Sequence, residues 1–458
     1  MSAGSISLGR GKGAKKHSKK TAKKRAKKRT RARVSPEYNM LLTATLCLLA
    51  LGAVMVFSAS STTRVLQNGG LSDSAFYLKR TLMFGAVALV IMHVTARIGL
   101  EKIRELTPLL LGGSVFLLVA VLGAGTEVNG ATRWIGGGFL QIQPSELAKV
   151  ALILYGADLL ARKPKRTRSL DGMMPFLLVT AVSCGLIMLE PDMGTTMVIV
   201  FAVAATLVAA GARPADLGKI ALVIGGLALL MSIVEPYRMA RLTAFLHPTA
   251  DPSGAGFQAA QAKVALGSGG IFGVGIGNGI SKAFYLPEAH TDMITAVIGE
   301  ELGLAGITAV VGLFGLFGYA GLKTAQKAKD NYSKLLVAGL TSLVLVQATI
   351  NLFAVMGLAP LTGVPLPFVS YGNSSLMATL FAVGLILNVA RGGSAKAARG
   401  STTGAGKLRV VEGGRTPTKK KSQRSGARSA REAKGGRSGG GNGGARRTRH
   451  GGRRRASG

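Results

Sequence analysis

The chain has 458 residues, 48% of them hydrophobic and only 17% charged, with a mean hydropathy of +0.35. A soluble protein of this length carries more charge and divides into two or three cores, so a water-soluble globular fold is excluded. The net charge of +37 suggests a nucleic-acid binder only until it is located, because residues 1–35 hold 14 Lys/Arg and no acid, and residues 391–458 hold 20 Lys/Arg against Glu412 and Glu432.

In chain order, residues 1–38 have almost nothing apolar to bury and read as a disordered basic tail. The first apolar run is about 20 residues long and follows that basic lead-in, so it reads as a retained span and not as a cleaved signal peptide. From 39 to 391 apolar runs of about 18–23 residues alternate with short polar joints, the length at which a helix crosses a hydrocarbon core. Ten spans are predicted, over 40–60, 80–97, 106–125, 145–161, 174–190, 193–210, 216–234, 293–321, 335–356 and 368–390. At Glu190-Pro191-Asp192 a tight turn is expected, since proline and two carboxylates fit poorly inside one long buried helix. Residues 392–458, rich in Gly, Arg and Lys, read as a second disordered tail. The fold class is therefore all-α and polytopic. Cys47 and Cys184 lie inside apolar runs and give neither a disulfide framework nor a metal spacing.

Alternate joints carry Arg97/Lys102/Arg104, Arg162/Lys163/Lys165, Arg213/Lys219 and Lys323/Lys327/Lys329, and an even span count puts both tails on that same side. By the positive-inside rule that side is cytoplasmic, and the tails face anionic lipid headgroups, with no specific nucleic acid expected. The long joints 61–79, 126–144 and 235–292 then face outward, the last of them the large loop between the seventh and eighth spans. Loops of such length between membrane helices are usually functional.

The run GSGGIFGVGIGNG (267–279) lacks the offsets of a nucleotide-binding loop and reads as a flexible or re-entrant turn whose glycines allow close backbone approach. Beyond it, Glu288 and Asp292 share a face if the eighth span begins early, and Asp292 or Thr291 could cap that helix. Glu300 and Glu301 lie about 12 Å further along. At that depth they must face the bundle interior or a watery cavity, where they would brace a polar interior. In NGATRWIGGGFLQIQPSELAKV, Glu146 and Lys149 either neutralise each other or, with Arg133, hold an anion, and Trp134 sits where interfacial anchors collect. The third polar stretch, GLAPLTGVPLPFVSYGNSS, must line a cavity or be buried in protein. Three outward polar elements from distant parts of the chain suggest one shared outer cavity. A carboxylate with several Lys/Arg in apolar surroundings suits a substrate with an acidic head and a lipid tail. Outside the cell that substrate must bring its own leaving group, such as pyrophosphate. Asp292 would act as general base on an acceptor hydroxyl.

At these residues the sequence resembles the SEDS family (FtsW/RodA/SpoVE) of bacterial cell-wall polymerases. The resemblance rests on NGATRWI…QPSELAK, EPDMGT, DPSGAGFQAAQAKVALGSGGIFGVGIG, YLPEAHTDMITAVIGEELG and PLTGVPLPFVSYGNSS, in order over about 40–390. LPEAHTD and IGEELG look more like the division members, FtsW, than the elongation members. The resemblance implies a glycosyltransferase of the bacterial inner membrane, at the division septum, that polymerises lipid II into β-1,4 glycan strands. It implies a class B penicillin-binding protein and other division proteins as partners. Asp292 would be catalytic, with Arg133, Trp134, Glu146, Lys149, Arg238, Arg241, Gln258, Lys263, His290 and Ser370 binding substrate. No metal site is assigned, and a divalent cation (magnesium or manganese) is left open. Met293 departs from a usual Phe, which keeps an apolar contact, and Asn373 from a usual Gly, Asn tolerating positive φ better than most residues. Two alternatives stand beside this reading: a lipid II flippase, which should show broken helices near the midplane, and a non-catalytic scaffold.

Overall fold

The computed structural model describes residues 35–67, 75–128, 131–137, 140–162, 164, 169–234, 236–247, 254–283 and 286–393. Both predicted tails lie outside these residues, apart from a few at their inner edges.

Ten helices of eighteen residues or more follow one another: α1 (Pro36–Gln67), α2 (Phe76–Thr95), α3 (Leu100–Ala124), α4 (Pro144–Arg162), α5 (Leu170–Leu189), α6 (Met193–Ala210), α7 (Pro214–Val234), α10 (Ile294–Lys327), α11 (Asn331–Val355) and α12 (Asn373–Ala390). Among the described residues, eight of these are long and apolar enough to cross a membrane. The helix is the form that apolar runs of this length take in lipid, because it satisfies every backbone N–H and C=O internally. α4 is less apolar, since Glu146, Lys149, Asp158 and Arg162 ride on it. At the basic end two of these pair with charges: Asp158 accepts from Arg104 of α3 and from Arg162.

α11 and α12 are the innermost helices, with 78% of each apolar window buried against 22% for α2 and α3. α11 packs against α4, α6 and α10, while α12 lies along α2 and α10 along α1. Exposed Leu109, Phe116, Leu222 and Val223 face outward, as expected where lipid is the solvent.

Three features depart from the sequence reading. The joint after α3 is not plain loop but a small antiparallel meander, β1 (Thr126–Val128), β2 (Ala131–Gly137) and β3 (Leu140–Ile142), paired Thr126 to Trp134 and Ile135 to Ile142. The large loop carries two helices, α8 (Pro236–Leu246) and α9 (Ala255–Ser268). The third departure is the largest, for α10 is broken although no broken helix was expected.

The break sits at Gly303, with φ 65° and ψ −162°. It interrupts the ladder of α10, and the glycine run supplies the missing partners. Val274 and Gly275 donate their N–H groups to the carbonyls of Glu300 and Glu301, and Leu304 and Ala305 donate to the carbonyls of Gly270 and Ile271. The run thus enters the gap as a re-entrant splint, which keeps irregular backbone satisfied where no water is at hand. A Cβ on Gly303 would stand 2.4 Å from the Gly273 nitrogen, so the position admits no side chain. Gly303→Val is expected to lose the splint, costing several kcal/mol from strain and the opened hydrogen bonds. A thermal midpoint equal to that of wild type would refute this.

Candidate active site

The candidate site lies at the end of the bundle bearing the meander and α8, which the charge rule assigns to the outer face. A cavity of about 480 Å³ opens there between α6, α11 and α8. Its walls are apolar, with Met197 and Phe201 from α6 and Leu345, Ile350 and Phe353 from α11. Two guanidinium groups, Arg133 from β2 and Arg241 from α8, line it.

Each arginine is seated on backbone carbonyls of the rim. Arg133 Nε donates to the Glu190 carbonyl at 3.0 Å, and its Nη2 donates to that of Pro191. The expected turn places them there: α5 ends at Leu189, Asp192 caps α6 through Thr195, and Gln143 donates to Asp192 at 3.2 Å. Arg241 Nη1 donates to the Leu361 carbonyl at 2.9 Å. Glu190 is fully buried and neither of its carboxyl oxygens is bonded among the described residues. Burial first, and Asp192 second, push its carboxyl up to about 8, with Arg133 opposing, a shift that favours its protonated form.

Asp292 stands just before α10, separated from Arg241 only by the backbone of Gly363. A Cβ on Gly363 would lie 3.8 Å from Asp292 Oδ2 and 4.0 Å from Arg241 Nη1, so carboxylate and guanidinium are within about 8 Å of each other. Gly363 has φ 70°, which favours glycine and leaves no side chain between the two. Asp292 is half-buried, and the Thr291 hydroxyl lies 3.3 Å from its Oδ1 and 2.7 Å from Glu288 Oε2. Burial, then the charge of Glu288, raise its carboxyl to about 6, against the pull of Arg241 and Thr291. Glu288 itself holds φ 53°, strained for a residue with a side chain. Asp292 does not cap α10; the residue before the helix is Met293, which makes no side-chain cap bond.

The other expected site residues are distributed as follows. Glu146 and Lys149, each 3% exposed, pair at 2.8 Å, and Lys149 donates to Gln347 at 2.9 Å, so they form a buried polar link and not a wall of the cavity. Trp134 is half-buried in β2, where its carbonyl accepts the Thr126 hydroxyl. Gln258 of α9 reaches the Pro287 carbonyl at 3.4 Å, and Lys263 lies beside Arg241, Phe245 and Gly357 in a small neighbouring cleft. The His290 ring packs on Tyr77 and Tyr371, with centroids 4.5 and 5.6 Å away. The Ser370 hydroxyl faces its own turn, accepting the Leu366 N–H at 2.8 Å, which leaves it off the cavity wall. Asn373 opens α12 and is not among the positive-φ residues, so its place does not call on the freedom of glycine. The side chain of Arg238 is outside the described residues. Glu300 Oε1 accepts the Ile280 and Ser281 N–H groups, and Glu301 pairs with Lys282 at 2.6 Å and with Ser58 at 2.7 Å.

Sequence reasoning missed Gln347 and Asn351. They stand one turn apart inside LVLVQATINLF of α11 and are 3% and 2% exposed. Polar amides at that spacing in an otherwise apolar span were the available signal, because each needs a buried partner.

Arg241→Ala should weaken substrate binding, raising KM about tenfold or more, with Arg241→Lys only partly restoring it because one ammonium lacks the forked donor set. An unchanged KM in Arg241→Ala would remove Arg241 from the anion site.

Fold and site together define a polytopic membrane protein with an apolar, arginine-lined cavity and an adjoining carboxylate. The chain belongs to the FtsW/RodA/SpoVE family, described as a cell cycle protein, which it matches over residues 38–394. It is 41% identical over 360 residues to the probable peptidoglycan glycosyltransferase FtsW of Trichlorobacter lovleyi, covering 78% of this chain and 94% of that one. With the stage V sporulation protein E of Bacillus subtilis it shares 40% identity over 365 residues, covering 78% and 98%. Its fold is similar to a chain in a structure of a peptidoglycan synthase complex that coordinates polymerization and crosslinking (TM-score 0.64, 30% identity, 77% and 97% covered). It is also similar to the rod shape determining protein RodA of Thermus thermophilus (TM-score 0.57, 28% identity, 78% and 97% covered).

Proposed function

We propose that this protein is a peptidoglycan glycosyltransferase that polymerises lipid II into β-1,4 glycan strands on the outer face of the cytoplasmic membrane during division. The observation that carries this reading is the Asp292 carboxylate facing Arg241 across Gly363, at the edge of an apolar cavity that Arg133 also lines. The cavity accepts part of a polyprenyl tail, and the arginines hold the pyrophosphate. Asp292 takes the proton of the acceptor hydroxyl as its oxygen bonds the donor's anomeric carbon, and the carbon–oxygen bond to pyrophosphate breaks. Arg133 and Arg241 meet the charge that develops on that leaving group.

Among the described residues no three His, Cys, Asp or Glu side chains gather where they could hold a metal ion. The similarity to a chain of a peptidoglycan synthase complex supports a class B penicillin-binding protein as partner. Similarity to a protein named FtsW supports septal placement among other division proteins. The basic tails would rest on anionic headgroups.

The break in α10 favours a second reading, a lipid II flippase, since broken helices are a mark of transporters. The full-length protein, purified with its transpeptidase partner and given labelled lipid II, decides between them. Glycan strands blocked by Asp292→Asn are the expected result. Translocation of lipid II in vesicles, with no polymer from wild type, would overturn it.

A further inference from the structure

Asn351 is buried on the inner side of α11, and its amide joins three segments. Nδ2 donates to the Asp292 carbonyl at 2.7 Å and to the Val364 carbonyl at 2.8 Å, and Oδ1 accepts the Thr295 hydroxyl at 2.6 Å. Both N–H groups are used, and so is the carbonyl. The carbonyls it satisfies belong to irregular backbone, where no helix or strand would otherwise pair them. One is on Asp292 itself. The other follows Gly363, three residues beyond the Leu361 carbonyl that holds Arg241. A single side chain therefore fixes the carboxylate's peptide and the rim strand on whose Leu361 carbonyl the Arg241 guanidinium rests.

We propose that Asn351 is a positioning residue that sets the spacing between Asp292 and Arg241. This rests on the reading of Asp292 as general base. Gln347 supports the same strand one turn away, donating to the Pro365 carbonyl at 3.0 Å and accepting from Lys149. Among the described residues the charged groups that bear on Asp292 are Glu288 on its own loop and Arg241 from α8, while α11 and the 361–366 strand offer only amides, hydroxyls and backbone. Without the bridge the loop loosens, the carboxylate moves relative to the anion site, and water reaches it.

A buried asparagine can also serve folding alone, and the molecule contains the comparison. Asn388 of α12, far from the site in the bundle, likewise donates to two backbone carbonyls, of Thr95 at 2.9 Å and Ile98 at 2.5 Å. The experiment measures lipid II polymerisation by the full-length protein with its transpeptidase partner for Asn351→Leu and Asn388→Leu. It reads kcat, KM, the acid limb of the pH–rate profile and the thermal midpoint. Asn351→Leu is expected to lose about 10- to 100-fold in kcat at little-changed KM, as a displacement near 1 Å does. Its acid limb should also move to lower pH. Asn388→Leu should fall in thermal midpoint without moving that limb. If Asn351→Leu does not fold, Thr295→Val, which frees only Oδ1, should give a smaller change in the same direction. An acid limb and kcat in Asn351→Leu, or failing that in Thr295→Val, that match Asn388→Leu would overturn the positioning role while leaving Asp292 in place. Full activity in Asp292→Asn would overturn the base assignment itself and this role with it.

Discussion

Asp292→Asn should cut glycan polymerisation by about 10²- to 10⁴-fold, the usual contribution of a positioned general base. The substitution keeps the shape and removes only the capacity to accept a proton. Lipid II binding, which the proposed function assigns to the arginines and the apolar cavity, should change little. Because the carboxyl of Asp292 is raised to about 6, the wild-type rate should fall as pH drops through that value. The same shift predicts a gain in stability. A carboxyl raised on folding favours the native state fully below its unfolded pKa, and that contribution is lost as pH rises through the folded one. Asparagine, never charged, escapes the loss. At about pH 8 Asp292→Asn should therefore melt at or above the wild-type temperature, with the difference closing toward about pH 4. A variant that is both inactive and markedly less stable at about pH 8 would mean that Asp292 holds the fold rather than the proton.

The second large effect belongs to Lys282. Its ammonium, buried with its partner, lies 2.6 Å from Glu301, 2.9 Å from Ser58 of α1 and 2.8 Å from the Gly277 carbonyl. One contact set thus ties α1, the glycine run and α10. Lys282→Met would leave the Glu301 carboxylate buried without its cation, a loss of about 3–5 kcal/mol. The expected result is a thermal midpoint lower by several degrees, with weaker amide protection in 269–281. Pairing it with Glu301→Leu removes both charges together and should recover most of the loss. Equal melting of Lys282→Met and wild type would show that the pair carries no stability, and a double variant worse than either single would show that the charges are needed in their own right.

The spans were readable because lipid forces long apolar runs into helices, and the Glu190-Pro191-Asp192 turn because proline and carboxylates interrupt them. The ends were less so. α1 runs to Gln67 and α10 to Lys327, past the predicted limits of 60 and 321, since hydropathy marks the hydrocarbon and not the length of a helix that continues beyond it. The meander was missed because its strands are short and two of its neighbours are glycine-rich. Arg133, Arg241 and Asp292 converge on one end of the bundle, and motif resemblance pointed to all three. Convergence does not require contact, though: Ser370 and the Glu146–Lys149 pair have their polar atoms turned into the protein. Lys282 was passed over because its significance depends on Ser58, 224 residues away. No local pattern records a partner at that distance.

The gap at Gly303 also bears on how the chain enters the membrane during synthesis. The stretch from Leu304 to Lys327 is long enough to cross about 30 Å of hydrocarbon by itself. The outer half of α10, with its two glutamates, need not be threaded into lipid as part of one rod. Lys282 emerges from the ribosome nineteen residues ahead of Glu301, and Ser58 long before either. When Glu301 arrives its countercharge is already on the same side of the membrane. The glycine run can then fold back into a slot whose hydrogen-bonding groups are waiting for it, with Lys282 at hand to pair Glu301.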